Sequence, residues 1–331
     1  MYLCRQIIKD MRKVIGIGET VLDIIFRDSQ PIGAVPGGSV FNGVISLGRS
    51  GVPAAFISET GNDRVGYYIK EFAEKNGVNA DGITIYPNSK SPISLAFLNE
   101  NNDAEYLFYK DHPNDKLDYV YPNIQPGDIV LFGSYYALNP VIRPQVSAFL
   151  EHAKKHGAIL YYDVNFRPAH QHEVVRLTPN FLENLELADI VRGSKEDFEV
   201  LFKKTDSDVI FRSDISFYTK KFIYTQGSQP IILHAEGGFR KEYPINAINT
   251  VSTIGAGDNF NAGIAFGIIR YGIMLGDIEA GLSEEQWDQI IRCGQAFSTE
   301  CCKSIDNCIS WAFGKQMQQE LLAHIPEEKQ S

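Results

Sequence analysis

Long apolar runs, basic stripes and paired metal ligands are all missing from this chain. The best candidate for a membrane span, Phe260 to Leu275, is interrupted by Asn261 and Arg270, so no membrane partner is expected. The formal net charge is −10 and no basic stripe offsets it, which argues against a nucleic-acid partner. Cysteine is scarce, five in 331 residues, and four of the five (Cys293, Cys301, Cys302 and Cys308) crowd the C-terminal region. Neither a Cys-x-x-Cys pair nor a matching pair of histidines occurs there, so reduced thiols near the core are expected, as in a cytoplasmic protein. No internal repeat or low-complexity segment appears. The first ten residues are mixed and too short for a secretion signal, and are read as a tail or as a mis-assigned start before Met11.

What is present is globular. Hydrophobic residues make up 44% and charged residues 22%, and the length suits one large α/β unit with an insertion as well as two domains. Short apolar runs read as strands at Lys13–Gly18, Ala54–Ser58, Ile129–Phe132, Ala158–Tyr162, Phe222–Thr225 and Ile231–His234. Helical patterns fall between them, one capped by Asp63 and closed by Gly77, another from about Pro140 to His156 closed by Gly157. This alternation predicts a parallel sheet covered on both faces. Ser94 to Tyr109 alternates and turns at Asn101–Asp103, a β-hairpin that, with residues 23–35, predicts a small separate sheet.

Ligands gather at the carboxyl ends of parallel strands. Asp163, Gly227 and the turn Thr253–Asp258 all follow strands or open helices. In that turn Gly255, Ala256 and Gly257 carry little bulk and precede an apolar helix pattern. Unpaired N–H groups and the positive end of the helix dipole make such a start an anion site. Asp258 beside it would repel an anion unless it takes a proton from a hydroxyl that attacks a bound phosphate. The same residues also fit a plain helix start with a first-turn acid. Earlier, Gly37 and Gly38 open a helix that carries Asn42 one turn in, where an amide that both donates and accepts suits a sugar hydroxyl. Gly16-Ile17-Gly18 is no dinucleotide loop, because Val21 stands where the third glycine belongs.

Two stretches, Gly37-Gly38-Ser39-Val40-Phe41-Asn42-Gly43 and Ser252-Thr253-Ile254-Gly255-Ala256-Gly257-Asp258, make the chain resemble the ribokinase-like (PfkB-type) carbohydrate kinases over residues 12–315. Within that family it is most similar to fructokinases, through Glu19, Asp23 and the run Asp163-Val164-Asn165-Phe166-Arg167-Pro168. The resemblance implies an α/β fold, a central mostly parallel sheet flanked by helices with a small β-sheet lid. It places residues 1–22, 36–91 and 113–331 in the main domain, and 23–35 and 92–112 in the lid. It implies a cytoplasmic enzyme that moves the γ-phosphoryl group of ATP to a sugar primary hydroxyl, with Mg²⁺ as cofactor and a homodimer through the lid.

By the same resemblance Asp258 is the base, and the N–H groups of Gly255, Ala256 and Gly257 hold the transferred group. Asp23, Gly37, Gly38, Asn42, Asp163, Asn165 and Arg167 bind the sugar. Ser194, Thr225, Gly227 and Gly257 lie by the nucleotide, and Asp197 meets the metal through water. Ser252 replaces an aspartate that in relatives helps hold a monovalent cation, so little or no K⁺ activation is expected. The altered lid stretch at Pro113-Asn114-Asp115, Ser194 and Pro230 are further departures.

No Gly-x-x-x-x-Gly-Lys-Ser/Thr occurs, which removes the P-loop enzymes, and no His-Arg-Asp or Asp-Phe-Gly, which removes protein kinases. A 2-keto-3-deoxygluconate kinase is the alternative within the family, with Arg167 pairing the acid's carboxylate. A non-catalytic relative that binds sugar or a partner is the alternative outside catalysis.

Overall fold

In the computed structural model of the chain, which describes residues 12–99, 104–109 and 121–323, every apolar run read as a strand forms one. The tail at 1–10, the turn at Asn101–Asp103 and the stretch Pro113–Asp115 lie outside the described residues. In chain order the strands are β1 (Val14–Ile17), β2 (Val21–Arg27), β3 (Gln30–Gly37), β4 (Ala54–Gly61), β5 (Val78–Asn79), β6 (Ile83–Tyr86), β7 (Ile93–Leu98), β8 (Ala104–Tyr109), β9 (Ile129–Gly133), β10 (Ile159–Asp163), β11 (Ile190–Ser194), β12 (Phe222–Gln226), β13 (Gln229–His234) and β14 (Arg240–Tyr243). The principal helices are α1 (Ser39–Arg49), α2 (Arg64–Lys75), α3 (Arg143–Lys155), α4 (Val174–Leu187), α5 (Lys195–Phe202), α6 (Ala256–Arg270) and α7 (Glu284–Cys301). The chain divides into two compact units, one of Met1–Pro122, Ile248–Ile273 and Glu285–Ser331, the other of Asn123–Ala247 and Met274–Glu284.

In the first unit β1 pairs in parallel with β4, and β5 and β6 join β4 in parallel. Every residue of β1 is buried, as strands covered on both faces require. A separate four-stranded sheet runs β3-β2-β7-β8, with β2 and β7 parallel and the other pairs antiparallel. Along β2 buried and half-buried residues alternate, which puts Val21, Asp23 and Ile25 on the inner face. Helix α6 is buried from Asp258 to Ile268, as expected of a helix apolar all round. The Asp63 side chain caps α2 by accepting from the Gly66 N–H.

In the second unit β9, β10, β11 and β12 are parallel neighbours, whereas β13 pairs antiparallel with β12, and β14 with β13. The strands here are therefore mostly parallel, in keeping with the expected mostly parallel sheet, and turn antiparallel at β13 and β14. Only Gly227 and Ser228 separate β12 from β13, a link that makes a hairpin and is too short for a parallel crossover. Cys293, Cys301, Cys302 and Cys308 are free and buried. Among the described residues no helix is long and apolar enough to cross a membrane.

Candidate active site

The first unit gathers the two glycine-rich stretches and Asp23. Helix α6 starts at Gly255, whose φ of 77° lies in the left-handed region that favours glycine. A Cβ there would also stand 2.7 Å from the Asn307 carbonyl oxygen. No side chain caps this start. The Ala256 N–H already donates to the Thr253 carbonyl at 3.2 Å, while those of Gly255 and Gly257 make no hydrogen bond among the described residues. Of the three amides nominated from sequence, two are thus open to an anion and one is engaged in the turn. Ser252, buried, accepts from the Ile254 N–H at 3.2 Å, the kind of turn-holding bond a serine offers in place of a charge.

Asp258 is buried in the first turn of α6, and the Asn42 side-chain amide donates to its Oδ2 at 2.8 Å. Asn42 is aimed there by α1, which begins at Gly38 with φ 129°. A Cβ at Gly38 would lie 2.3 Å from the Glu19 carbonyl oxygen. One turn on, the Ser46 hydroxyl donates to Asn259 Oδ1 at 2.5 Å and fixes α1 against α6. The sequence reading gave Asn42 to the sugar; in the structure its N–H₂ group donates to the acid.

Asp23 is buried on β2 and holds two donors, the Ser94 hydroxyl on Oδ1 and the Asn307 amide on Oδ2, the latter at 3.0 Å. Gly37 has a direct reason: a Cβ would fall 2.1 Å from Asp23 Oδ2. Asn307 is a residue that sequence reading missed. Besides holding Asp23, its backbone carbonyl accepts from Asn259 Nδ2 at 2.9 Å, next to Asp258 in sequence. No motif surrounds it, so no signal in a single sequence pointed to it. The nearby Cys301 thiol donates to the Ile254 carbonyl at 3.4 Å, and burial, with Cys302, Cys308 and Asp258 beside it, pushes its pKa far up. Protonated thiols of this kind are unreactive.

The second unit carries the remaining nominated residues at the ends of β10, β11 and β12. Asp163 is buried and pairs with Arg192 Nη1 at 2.9 Å, its register partner on the neighbouring strand. The other guanidinium nitrogen, Nη2, donates to the Thr225 hydroxyl. Burial works against the Arg192 charge, but the Asp163 and Asp197 carboxylates outweigh it and raise its pKa. Arg192 also escaped the sequence reading. Asn165 adopts a left-handed φ of 37°, and Arg167 is exposed just beyond it. Strain at a non-glycine residue of this kind concentrates at functional loops.

Ser194 caps α5 in a reciprocal box with Asp197. Both Asp197 oxygens are taken by backbone donors, Phe166 N–H at 2.7 Å and Ser194 N–H at 2.6 Å, and burial raises its pKa. Asp197 thereby ties the loop after β10 to the start of α5. Gly227 occupies the hairpin turn at φ 62°. Among the described residues no group of three or more His, Cys, Asp or Glu is placed to hold a metal ion.

Residues 11–311 match the description "pfkB family carbohydrate kinase". The chain is 26% identical over 264 residues to probable fructokinase-6, chloroplastic, of Arabidopsis thaliana, covering 76% of this chain and 68% of that protein. It is 26% identical over 248 residues to 5-dehydro-2-deoxygluconokinase of Geobacillus thermodenitrificans (strain NG80-2), covering 71% of this chain and 72% of that one. The fold is similar to that of fructokinase from Vibrio cholerae O395 in its fructose, ADP and calcium-bound form. There the TM-score is 0.78 at 18% identity, over 96% of this chain and 99% of the other. Aminoimidazole riboside kinase from Salmonella enterica, complexed with aminoimidazole riboside and an ATP analogue, gives 0.76 at 20% identity, over 94% and 100%.

Proposed function

Since this chain belongs to the pfkB family of carbohydrate kinases, we propose that it transfers the γ-phosphoryl group of ATP to a primary hydroxyl of fructose. The observation that carries the reading is Asp258: a buried carboxylate at an uncapped helix start, held by Asn42 and flanked by the open amides of Gly255 and Gly257. In this role Asp258 accepts the proton of the attacking hydroxyl, a contribution of about 10²–10⁴ in rate. The Gly255 and Gly257 N–H groups meet charge on the transferred group, and their value lies in being fixed before reaction. Asp23, with Gly37 and Gly38 making room around it, holds sugar hydroxyls. On the second unit Asp163, Asn165 and Arg167 serve the sugar, while Ser194, Thr225 and Gly227 serve the nucleotide.

The Mg²⁺ that accompanies ATP would neutralise phosphate charge. With both Asp197 oxygens on backbone amides, the phosphates and water would hold it, as is common for this ion. Homodimerisation through the small sheet is part of the proposal, supported by Ile32 on β3 and Leu107, Phe108 and Tyr109 on β8, which are 41–56% exposed.

A deoxy keto sugar acid is the second reading. It is favoured by the exposed Arg167 guanidinium, which suits a carboxylate, and by the similarity to the Geobacillus enzyme. ATP turnover measured across a panel of fructose, ribose, 5-dehydro-2-deoxygluconate and 2-keto-3-deoxygluconate tests both. Fructose is expected to give the highest kcat/KM. A higher value for either acid puts the second reading in its place, and no turnover with any sugar defeats both.

A further inference from the structure

We propose that Asn307 is a substrate-specificity residue, whose side-chain carbonyl accepts a sugar hydroxyl next to the one bound by Asp23. The inference rests on the sugar-kinase reading above and adds a residue to it. Asn307 is buried, and its Nδ2 is committed to Asp23 Oδ2 at 3.0 Å, so the other half of the amide, Oδ1, must point away from that carboxylate. Oδ1 is buried and has no hydrogen-bond partner among the described residues. Buried acceptors are almost always satisfied, and leaving one unmade costs the group its hydration for nothing in return. A donor from a ligand answers that need.

The surroundings say what kind of ligand. Asp23 is an acceptor for hydroxyl donors, and Asn307 Oδ1 is a second, neutral acceptor one amide group away from it. A carboxylate with a neutral acceptor beside it suits the neighbouring hydroxyls of a polyol. The Asn307 backbone, bonded to Asn259 and abutting Gly255, sits against the start of the helix that carries Asp258. Asn307 thereby joins the sugar-holding acid to the turn with the proposed base. Both of its side-chain functions are needed: removing the amide would loosen Asp23, and removing the carbonyl would erase the preference for one hydroxyl.

The test compares D-fructose with 3-deoxyfructose and 4-deoxyfructose in wild type, Asn307→Leu and Ser94→Ala. Wild type is expected to lose roughly tenfold in kcat/KM with one of the two analogues, the worth of one well-placed hydrogen bond. In Asn307→Leu that preference should collapse towards unity, with KM for fructose raised and KM for ATP unchanged. Ser94→Ala removes a different donor to Asp23 but leaves the acceptor, so it should weaken fructose while keeping the preference. A full preference retained in Asn307→Leu overturns the proposal, as does a wild type indifferent to both analogues, a result that needs no variant to fold. Asn307→Ala, checked by circular dichroism, replaces the leucine variant if that one is unfolded. A wild type that turns over none of the three sugars overturns the underlying reading instead.

Discussion

The side-chain amide of Asn42 donates to the Asp258 carboxylate at 2.8 Å, joining residues 216 positions apart. Each comes from the first turn of a buried helix opened by glycine, so two backbones set the direction of one acid. Asn42→Leu keeps most of the volume and removes the donor. It is expected to lower kcat with fructose by roughly tenfold, because one hydrogen bond to the acid is lost and its orientation is less closely fixed. Steady-state kinetics at saturating ATP checks this; an unchanged kcat would make the contact incidental.

Gly255 links conformation to site geometry. Gly255→Ala is expected to cost about 1–2 kcal/mol of stability for the left-handed backbone alone. Its Cβ would in addition press on the Asn307 carbonyl at 2.7 Å. Denaturant melts should show the loss, and turnover should fall further than stability does, because the anion-facing amide shifts with it.

Much of this was legible in the sequence because it is local. Gly37, Gly38 and the Gly255–Asp258 turn are short-range patterns whose glycines report tight backbone. The capped helix from Asp63 and the hairpin around 94–109 were readable for the same reason. Asn307 was not, because its partners Asp23 and Asn259 are reached only through the fold, and the loop around it has no periodicity. Strand β11 was hidden by Arg192 and Gly193, a charge and a glycine in what should be an apolar run. That charge is tolerated because Asp163 on the neighbouring strand pairs it.

Ser252 bears on cation dependence. Its hydroxyl accepts from the Ile254 N–H, and it supplies a dipole where a carboxylate would supply a full charge. Little or no K⁺ activation is therefore expected. Initial rates in K⁺ and in a bulky organic cation, at matched ionic strength and saturating Mg·ATP, make the comparison. A strong, saturable, K⁺-specific rise would show that backbone carbonyls suffice.

His234 gives the fold an acid-side weakness. The ring is buried and stacked on Phe211 with centroids 4.5 Å apart, and burial, with Arg240 nearby, lowers its pKa despite Asp208. The folded state therefore favours the neutral ring, and the unfolded chain takes up the proton first as pH falls below about 6.5. Stability should be unaffected by this group above that pH and decline below it. His234→Phe keeps the stack and should flatten the decline of Tm between pH 7 and 5; an identical decline in the variant would remove His234 as its source.

The proposed chemistry depends most on Asp258, and the most direct measurement is the kcat of Asp258→Asn with fructose and ATP at saturation, with circular dichroism to establish the fold. The substitution keeps the shape and removes the capacity to take a proton. A folded variant slowed by roughly 10²-fold or more is predicted, in line with general base catalysis. A folded variant with near-normal turnover would contradict it.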